Sequence, residues 1–299
     1  MKTYLDCYPC FVRQALEAAR FAGATEAQQR QVLDEVLGLL RQTEDGLTPP
    51  EIGDRVHRVV RRVTGIDDPY RALKAQSTHE ALTLYPRLKA LVAQAPADRT
   101  LDTALRLSIA GNIIDLGPAP EYDLWAVVER VLAQPFAIDA SGALRDALAS
   151  MSSAESVLLL GDNAGETVFD RLLVETLYEL YGLRVIYAVK GGPSLNDATM
   201  EDARQAGLLE VATVIDNGAD APGTILARCR PQFRRAFDAA PVILAKGQAN
   251  YECLSYQRRG IFFLLQCKCP VIAADLCEIG GLCEIGHGVS PGSIVLAQL

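Results

Sequence analysis

The sequence is poor in the features that mark several large protein classes. No apolar stretch approaches the length of a membrane span, and the opening MKTYLDCYPC has no apolar segment of the signal-peptide kind. No basic run of the sort that tracks a phosphate backbone stands out; 29 Lys and Arg face 37 Asp and Glu, a formal net charge of −8. That balance argues against nucleic acid as a partner. Eight cysteines among 299 residues are too dilute for a disulfide scaffold. Three histidines argue against a His-rich zinc centre. No G-x-S-x-G elbow supports serine–histidine–aspartate catalysis. There is no long repeat and no low-complexity tract. What remains is an acidic globular chain, expected in the cytoplasm and away from membranes. At 49% hydrophobic residues it can fill a sizeable core, and its length allows one or two domains.

The pattern along the chain changes character near its middle. In the first 150 residues, Val32, Val36 and Leu40 recur at helical spacing, with Leu33 and Leu37 beside them. Thr48-Pro49-Pro50-Glu51 reads as a capping box with proline at the first helical position, and Val56, Val59, Val60 and Val63 follow on one face. Asp68-Pro69 opens a further helix through Leu88, and 103–114 and 123–132 also read as helical. No strand alternation of useful length is found in this half. After Ser150, short apolar runs alternate with amphipathic segments: 157–160, 184–189, 211–215, 242–244, 261–265 and 294–296. Such alternation indicates βαβ units and a mainly parallel sheet covered on both faces. The expected fold is a helical N-terminal region followed by a doubly wound, Rossmann-like α/β domain, divided as 1–100 and 101–299.

In open α/β sheets, ligands bind beyond the carboxyl ends of the strands. Four successive predicted strand ends carry polar loops: Gly161-Asp162-Asn163-Ala164-Gly165-Glu166, Lys190 to Asp197, Asp216 to Thr224, and Lys246 to Glu252. Any one loop is explained by ordinary turn chemistry; four on one sheet edge point to a site. Asp162, Asn163 and Asp197 offer oxygen donors suited to Mg²⁺ or Mn²⁺. Lys190 and Lys246 are the lysines available to clamp an anion. The chemistry that fits is metal-assisted hydrolysis of a phosphate ester.

Asp162-Asn163-Ala164-Gly165-Glu166, Pro193-Ser194-Leu195-Asn196-Asp197-Ala198-Thr199 and Lys246-Gly247-Gln248-Ala249-Asn250-Tyr251-Glu252, together with Gly111-Asn112-Ile113-Ile114-Asp115 and Cys7-Tyr8-Pro9-Cys10, resemble the metal-dependent damage-control phosphatases, the family of domain of unknown function 89. The Cys-x-x-Cys start looks like its prokaryotic branch. The resemblance implies that Asp162, Asn163 and Asp197 bind a divalent metal (Mn, Mg, Co or Ni), and that Lys246 holds the substrate phosphate. It implies a small phosphorylated, sugar-phosphate-like metabolite as substrate. Asn112, Asp115 and Asn250 are expected near that substrate. Glu166 either orients water or complements its helix N-terminus.

Two other readings compete. A Rossmann-type cofactor binder, such as an S-adenosylmethionine-dependent methyltransferase, wants a G-x-G-x-x-G fingerprint, and Gly161 to Gly165 is only its nearest match. A redox or metal-sensing module would centre on Cys7 and Cys10, although a lone Cys-x-x-Cys is a weak sign and most cysteines read as small apolar packing residues. His57 and His79 read as core-edge or surface residues, and His287 lies in a glycine-flanked segment.

Overall fold

The periodicity of the first 64 residues resolves into three helices, α1 (Tyr8–Phe21), α2 (Glu26–Arg41) and α3 (Pro49–Thr64). The last two start as their sequences dictate. Thr25 with Gln28, and Thr48 with Glu51, form reciprocal capping boxes. The three helices share a core of their own, with Phe11, Ala15, Val32, Val36, Ile52, Val56 and Val60 fully or nearly fully buried. The structure is a computed structural model and describes residues 1–44, 46–113, 124–257, 259–280 and 288–299.

Helix α4 (Arg71–Gln94) packs differently. Its Ala81, Leu88 and Val92 share a second core with α5 (Thr100–Ile113) and α6 (Leu124–Ala133), on one face of the sheet. By packing, the change of core therefore falls between α3 and α4, earlier than the division at residue 100 read from the sequence.

The remaining elements are β1 (Phe136–Asp139), α7 (Ser141–Ser150), β2 (Ser156–Leu160), α8 (Glu166–Tyr181), β3 (Arg184–Val189), α9 (Met200–Gln205), β4 (Thr213–Asp216), α10 (Pro231–Ala239), β5 (Ile243–Lys246), α11 (Gly247–Leu254), β6 (Ile261–Gln266), α12 (Pro270–Gly280) and β7 (Ile294–Gln298). The seven strands form one sheet in the order β1-β7-β6-β5-β2-β3-β4. Neighbours from β6 to β4 are parallel, β7 runs antiparallel to β6, and β1 is parallel to β7. Side chains alternate between two buried faces. Val157, Leu159, Val185, Tyr187 and Leu244 point toward α5 and α8, whereas Leu158, Leu160, Ile243, Ala245 and Phe263 meet Phe233, Tyr251 and Ile272 of the opposite helix layer. Both faces being buried is why these strands read as unbroken apolar runs.

Strand β1 has no counterpart among the strands expected from the sequence. Phe136, Ala137 and Ile138 are half-buried at the sheet edge, Asp139 is exposed, and four residues carry no alternation long enough to detect; the strand exists because β7 offers it a partner. The order reverses at β2, which leads on one side to β3 and β4 and on the other to β5 and β6. The crevice at such a reversal is where α/β sheets place ligands.

Candidate functional site

Two loops at this crevice are bound to each other through their backbones. The turn after β2 and the loop after β3 exchange hydrogen bonds, Ala198 N–H to Asp162 C=O at 2.7 Å and Ala164 N–H to Asn196 C=O at 2.9 Å. Asn163 and Asp197 consequently face each other across an isolated antiparallel bridge. The second loop turns sharply at Leu195, which sits at φ +49°, a region L-residues enter only at a cost of about 1–2 kcal/mol. Its side chain packs against the core of the first three helices, and Arg61 of α3 donates to Pro193 C=O at 3.0 Å. The helical region thereby holds the loop that presents Asp197.

Asp162, Asn163 and Asp197 are all buried. Burial pushes both carboxyl groups above the usual carboxylate range. Asp197 adds to the effect on Asp162, and Lys190 partly offsets it at Asp197. Asp197 Oδ2 accepts no hydrogen bond among the described residues; the nearest cation, Lys190 Nζ, is 3.5 Å away and donates instead to Gly223 C=O at 2.7 Å. Two buried carboxylates that resist ionising, one with an orphan oxygen, form an oxygen donor set suited to a hard divalent cation. Among the described residues no three His, Cys, Asp or Glu side chains make a metal group, so the set depends on the Asn163 amide as its third donor.

Beneath this trio lies a polar cluster closed to solvent. Asn112, near the C-terminus of α5, donates from Nδ2 to Asp162 Oδ2 at 2.7 Å and to Glu166 Oε2 at 3.0 Å. Glu166 Oε2 also accepts the Asn163 N–H at 3.2 Å, and its Oε1 pairs with Lys246. Burial raises the Glu166 carboxyl, with Lys246 opposing it. Lys246 spends its other two donors on Ser108 C=O at 3.0 Å and Asp170 Oδ1 at 2.6 Å. Burial alone would lower its ammonium, but Asp170 and Glu166 outweigh it and leave the group raised and charged.

The expected site residues take the following positions. Lys246 is fully buried with all three N–H groups engaged, so in this arrangement it faces carboxylates and has no donor left for a phosphate. Asn250, expected near the substrate, is fully buried too. Its amide donates to Gly161 and Lys246 C=O and accepts the Thr224 hydroxyl, stapling three strand-end loops together. Asn112 and Glu166 stand against the proposed ligands, while Asp115 lies outside the described residues. Gly247 is required for this approach: it has φ +75°, and a Cβ there would overlap the Asp162 carboxylate.

Asp170, Ser108 and Tyr187 were not singled out by the sequence reading. The signal available was spacing: Asp162, Glu166 and Asp170 recur every four residues, the last two on the buried face of α8. Lys190 is buried, and its ammonium is engaged by Gly223 C=O and Asp197. The residue also borders a cavity of about 520 Å³ whose wall carries Arg71 and Lys74 together with Asp68, Glu201, Asp202 and Asp216, whereas the three candidate ligands lie outside that wall. The seven described cysteines, Cys7 and Cys10 included, are free thiols. No described helix is long and apolar enough to cross a membrane.

Comparison with known proteins gives one consistent answer. Residues 3–282 match the model of the damage-control phosphatase ARMT1-like domain. The damage-control phosphatase PH1575 of Pyrococcus horikoshii is 33% identical over 280 residues, covering 92% of this chain and 94% of that protein. A damage-control phosphatase of Archaeoglobus fulgidus is 31% identical over 283 residues, with 92% and 96% covered. The crystal structure of the P. horikoshii protein, a DUF89 family member, superposes with a TM-score of 0.86 at 32% identity over 100% of this chain and 99% of that one. None of these relatives supports the methyltransferase reading.

Proposed function

This chain belongs to the damage-control phosphatase ARMT1-like domain family, and from that premise we propose that it is a divalent-cation-dependent phosphatase of small phosphorylated metabolites. The observation that carries the cation is the convergence of Asp162, Asn163 and Asp197 with an orphan carboxylate oxygen among them. Charge supports it. In the buried cluster, four carboxyl groups (Asp162, Glu166, Asp170 and Asp197) face two ammonium groups (Lys190 and Lys246); fully ionised they leave a surplus of two negative charges, which a divalent ion would cancel while favouring the ionised form of the raised carboxyls. Oxygen donors favour Mn²⁺ or Mg²⁺, and cobalt or nickel are admissible substitutes.

Bound there, a divalent ion would polarise a phosphoryl oxygen and make water more acidic. The chain's own residues supply the rest. Asp162 and Asp197 hold the charge that draws the ion in, and Asn112 keeps the Asp162 carboxylate oriented. Lys190 Nζ, 3.5 Å from Asp197 and bonded to Gly223 C=O, lies beside the candidate ligands, and a phosphate reaching it would displace the Gly223 contact. The phosphate contact falls to Lys190 or Lys246, the two ammonium groups of this cluster.

The test is hydrolysis of an aryl phosphate by purified protein with Mn²⁺, with Mg²⁺ and after chelation. Activity should require the cation and be abolished by Asp162→Ala, with folding nearly intact by circular dichroism. Equal inactivity of well-folded protein under all three conditions would sink the reading.

A further inference from the structure

The geometry points to Asp170 as a positioning residue for the candidate metal centre, acting through Lys246 and Glu166; this rests on the metal-dependent reading above. Asp170 is fully buried, and its hydrogen bonds run to Ser108, Tyr187 and Lys246 rather than to the three candidate ligands. Its Oδ1 accepts the Ser108 hydroxyl at 2.6 Å and Lys246 Nζ at 2.6 Å, and its Oδ2 accepts the Tyr187 hydroxyl at 2.7 Å. Such a constellation is weak evidence for a stabilising role, because desolvating charges often costs as much as pairing them returns. A buried, fully hydrogen-bonded polar network does specify one arrangement of its members.

The arrangement it specifies leads directly to the site. Asp170 and Ser108 C=O fix the Lys246 ammonium on two sides, so that its third N–H meets Glu166 Oε1. Glu166 Oε2 is thereby held where it accepts both the Asn163 N–H and one N–H of Asn112. The second N–H of Asn112 then holds Asp162 Oδ2. Without the carboxylate of Asp170, Lys246 keeps a single counterion and is released to follow Glu166, and the two links to Asp162 and Asn163 lose their fixed anchor. Groups one shell behind metal ligands typically change affinity by about 10–100-fold when altered.

The experiment is titration of chelator-treated protein with Mn²⁺, followed by the loss of the free-ion paramagnetic resonance signal, alongside thermal unfolding and aryl phosphate hydrolysis. Asp170→Asn keeps the shape and an acceptor for Tyr187 but removes the charge; it should bind Mn²⁺ about 10–100-fold more weakly. At saturating Mn²⁺, part of its activity should return. Should Asp170→Asn fail to fold, Ser108→Ala and Tyr187→Phe each remove one donor to Asp170 while sparing Lys246, and each should weaken Mn²⁺ binding by a smaller factor. Variants that lose thermal stability yet bind Mn²⁺ like the wild type would overturn the assignment and leave Asp170 as a packing element. If the wild type itself binds no Mn²⁺, the metal-dependent reading fails, a result distinct from the first.

Discussion

Asp162 carries a conflict between folding and chemistry that can be measured. Its carboxyl lies above the ordinary range because burial and the Asp197 charge disfavour ionisation. A carboxyl whose folded-state pKa is raised binds its proton more tightly in the fold. Its favourable contribution is therefore complete below the unfolded value near 4 and is lost as pH rises through the folded value. At neutral pH the metal-free protein should thus be less stable than a neutral isostere. Asp162→Asn should stabilise chelated protein at pH 7.5 by about 1–3 kcal/mol, read as a higher thermal midpoint, while eliminating hydrolysis; a lower midpoint would contradict this. His57 is the opposite case. It is buried on α3 with its pKa lowered to about 4, first by desolvation and then by Arg61. Above pH 6.5 it is neutral in both states. Between pH 6.5 and 4 the unfolded chain gains a proton that the folded chain does not, so stability falls with pH over that window, by up to about 3 kcal/mol. His57→Gln should flatten this part of the stability curve relative to wild type in denaturant titrations. Residues of this kind were only partly legible beforehand. Asp162, Asn163 and Asp197 stood out because they lie in polar loops that follow apolar strands. Asp170 did not, because its role depends on Lys246 arriving from another strand.

At the scale of elements, the site is a product of short turns held at unusual backbone angles. Gly247 opens α11 at φ +75° against the Asp162 carboxylate. Gly247→Ala should cost more than about 2 kcal/mol, since it combines left-handed strain with a clash. It should also abolish Mn²⁺ binding, because the side chain that must yield is a proposed ligand. Urea titration and Mn²⁺ binding on the same sample check both. The Cys7-x-x-Cys10 element behaves otherwise. Cys7 precedes α1, packs at the edge of the first core, and burial pushes its thiol up, the reverse of what a reactive thiolate needs. Replacing both cysteines by serine should leave kcat/KM for an aryl phosphate within about twofold. A large loss would restore a functional role to the pair. Strands and helices of the second half were legible as elements because burial on both sheet faces leaves an unmistakable apolar run between polar turns. Edge strand β1 was not, having neither length nor alternation to distinguish it.

For the whole molecule, the decisive contact is between the first three helices and the sheet. Asp220, in the loop after β4, receives Arg58 Nη2 at 2.8 Å, Arg61 Nη2 at 3.0 Å and Arg228 Nη2 at 2.5 Å, and Arg228 also pairs with Asp54 of α3. Those cations hold the Asp220 carboxyl below its usual range against the effect of burial. Asp220→Ala should lower stability by about 1–2 kcal/mol, a modest figure because the pair is partly open to solvent, and the effect should shrink as salt is raised. Thermal unfolding at 50 and 500 mM NaCl would measure this, and an unchanged penalty at high salt would contradict an ionic origin.

Sequence alone determined the fold class, the register of polar loops at the strand ends and the family resemblance, because periodicity, caps and turn chemistry are local properties written in consecutive residues. Only the tertiary structure decided that α3 braces the Asp197 loop and that Lys246 is engaged by carboxylates from α8. A side chain's partners are known only after distant elements have packed, which is why consecutive residues do not reveal how Lys246 is engaged.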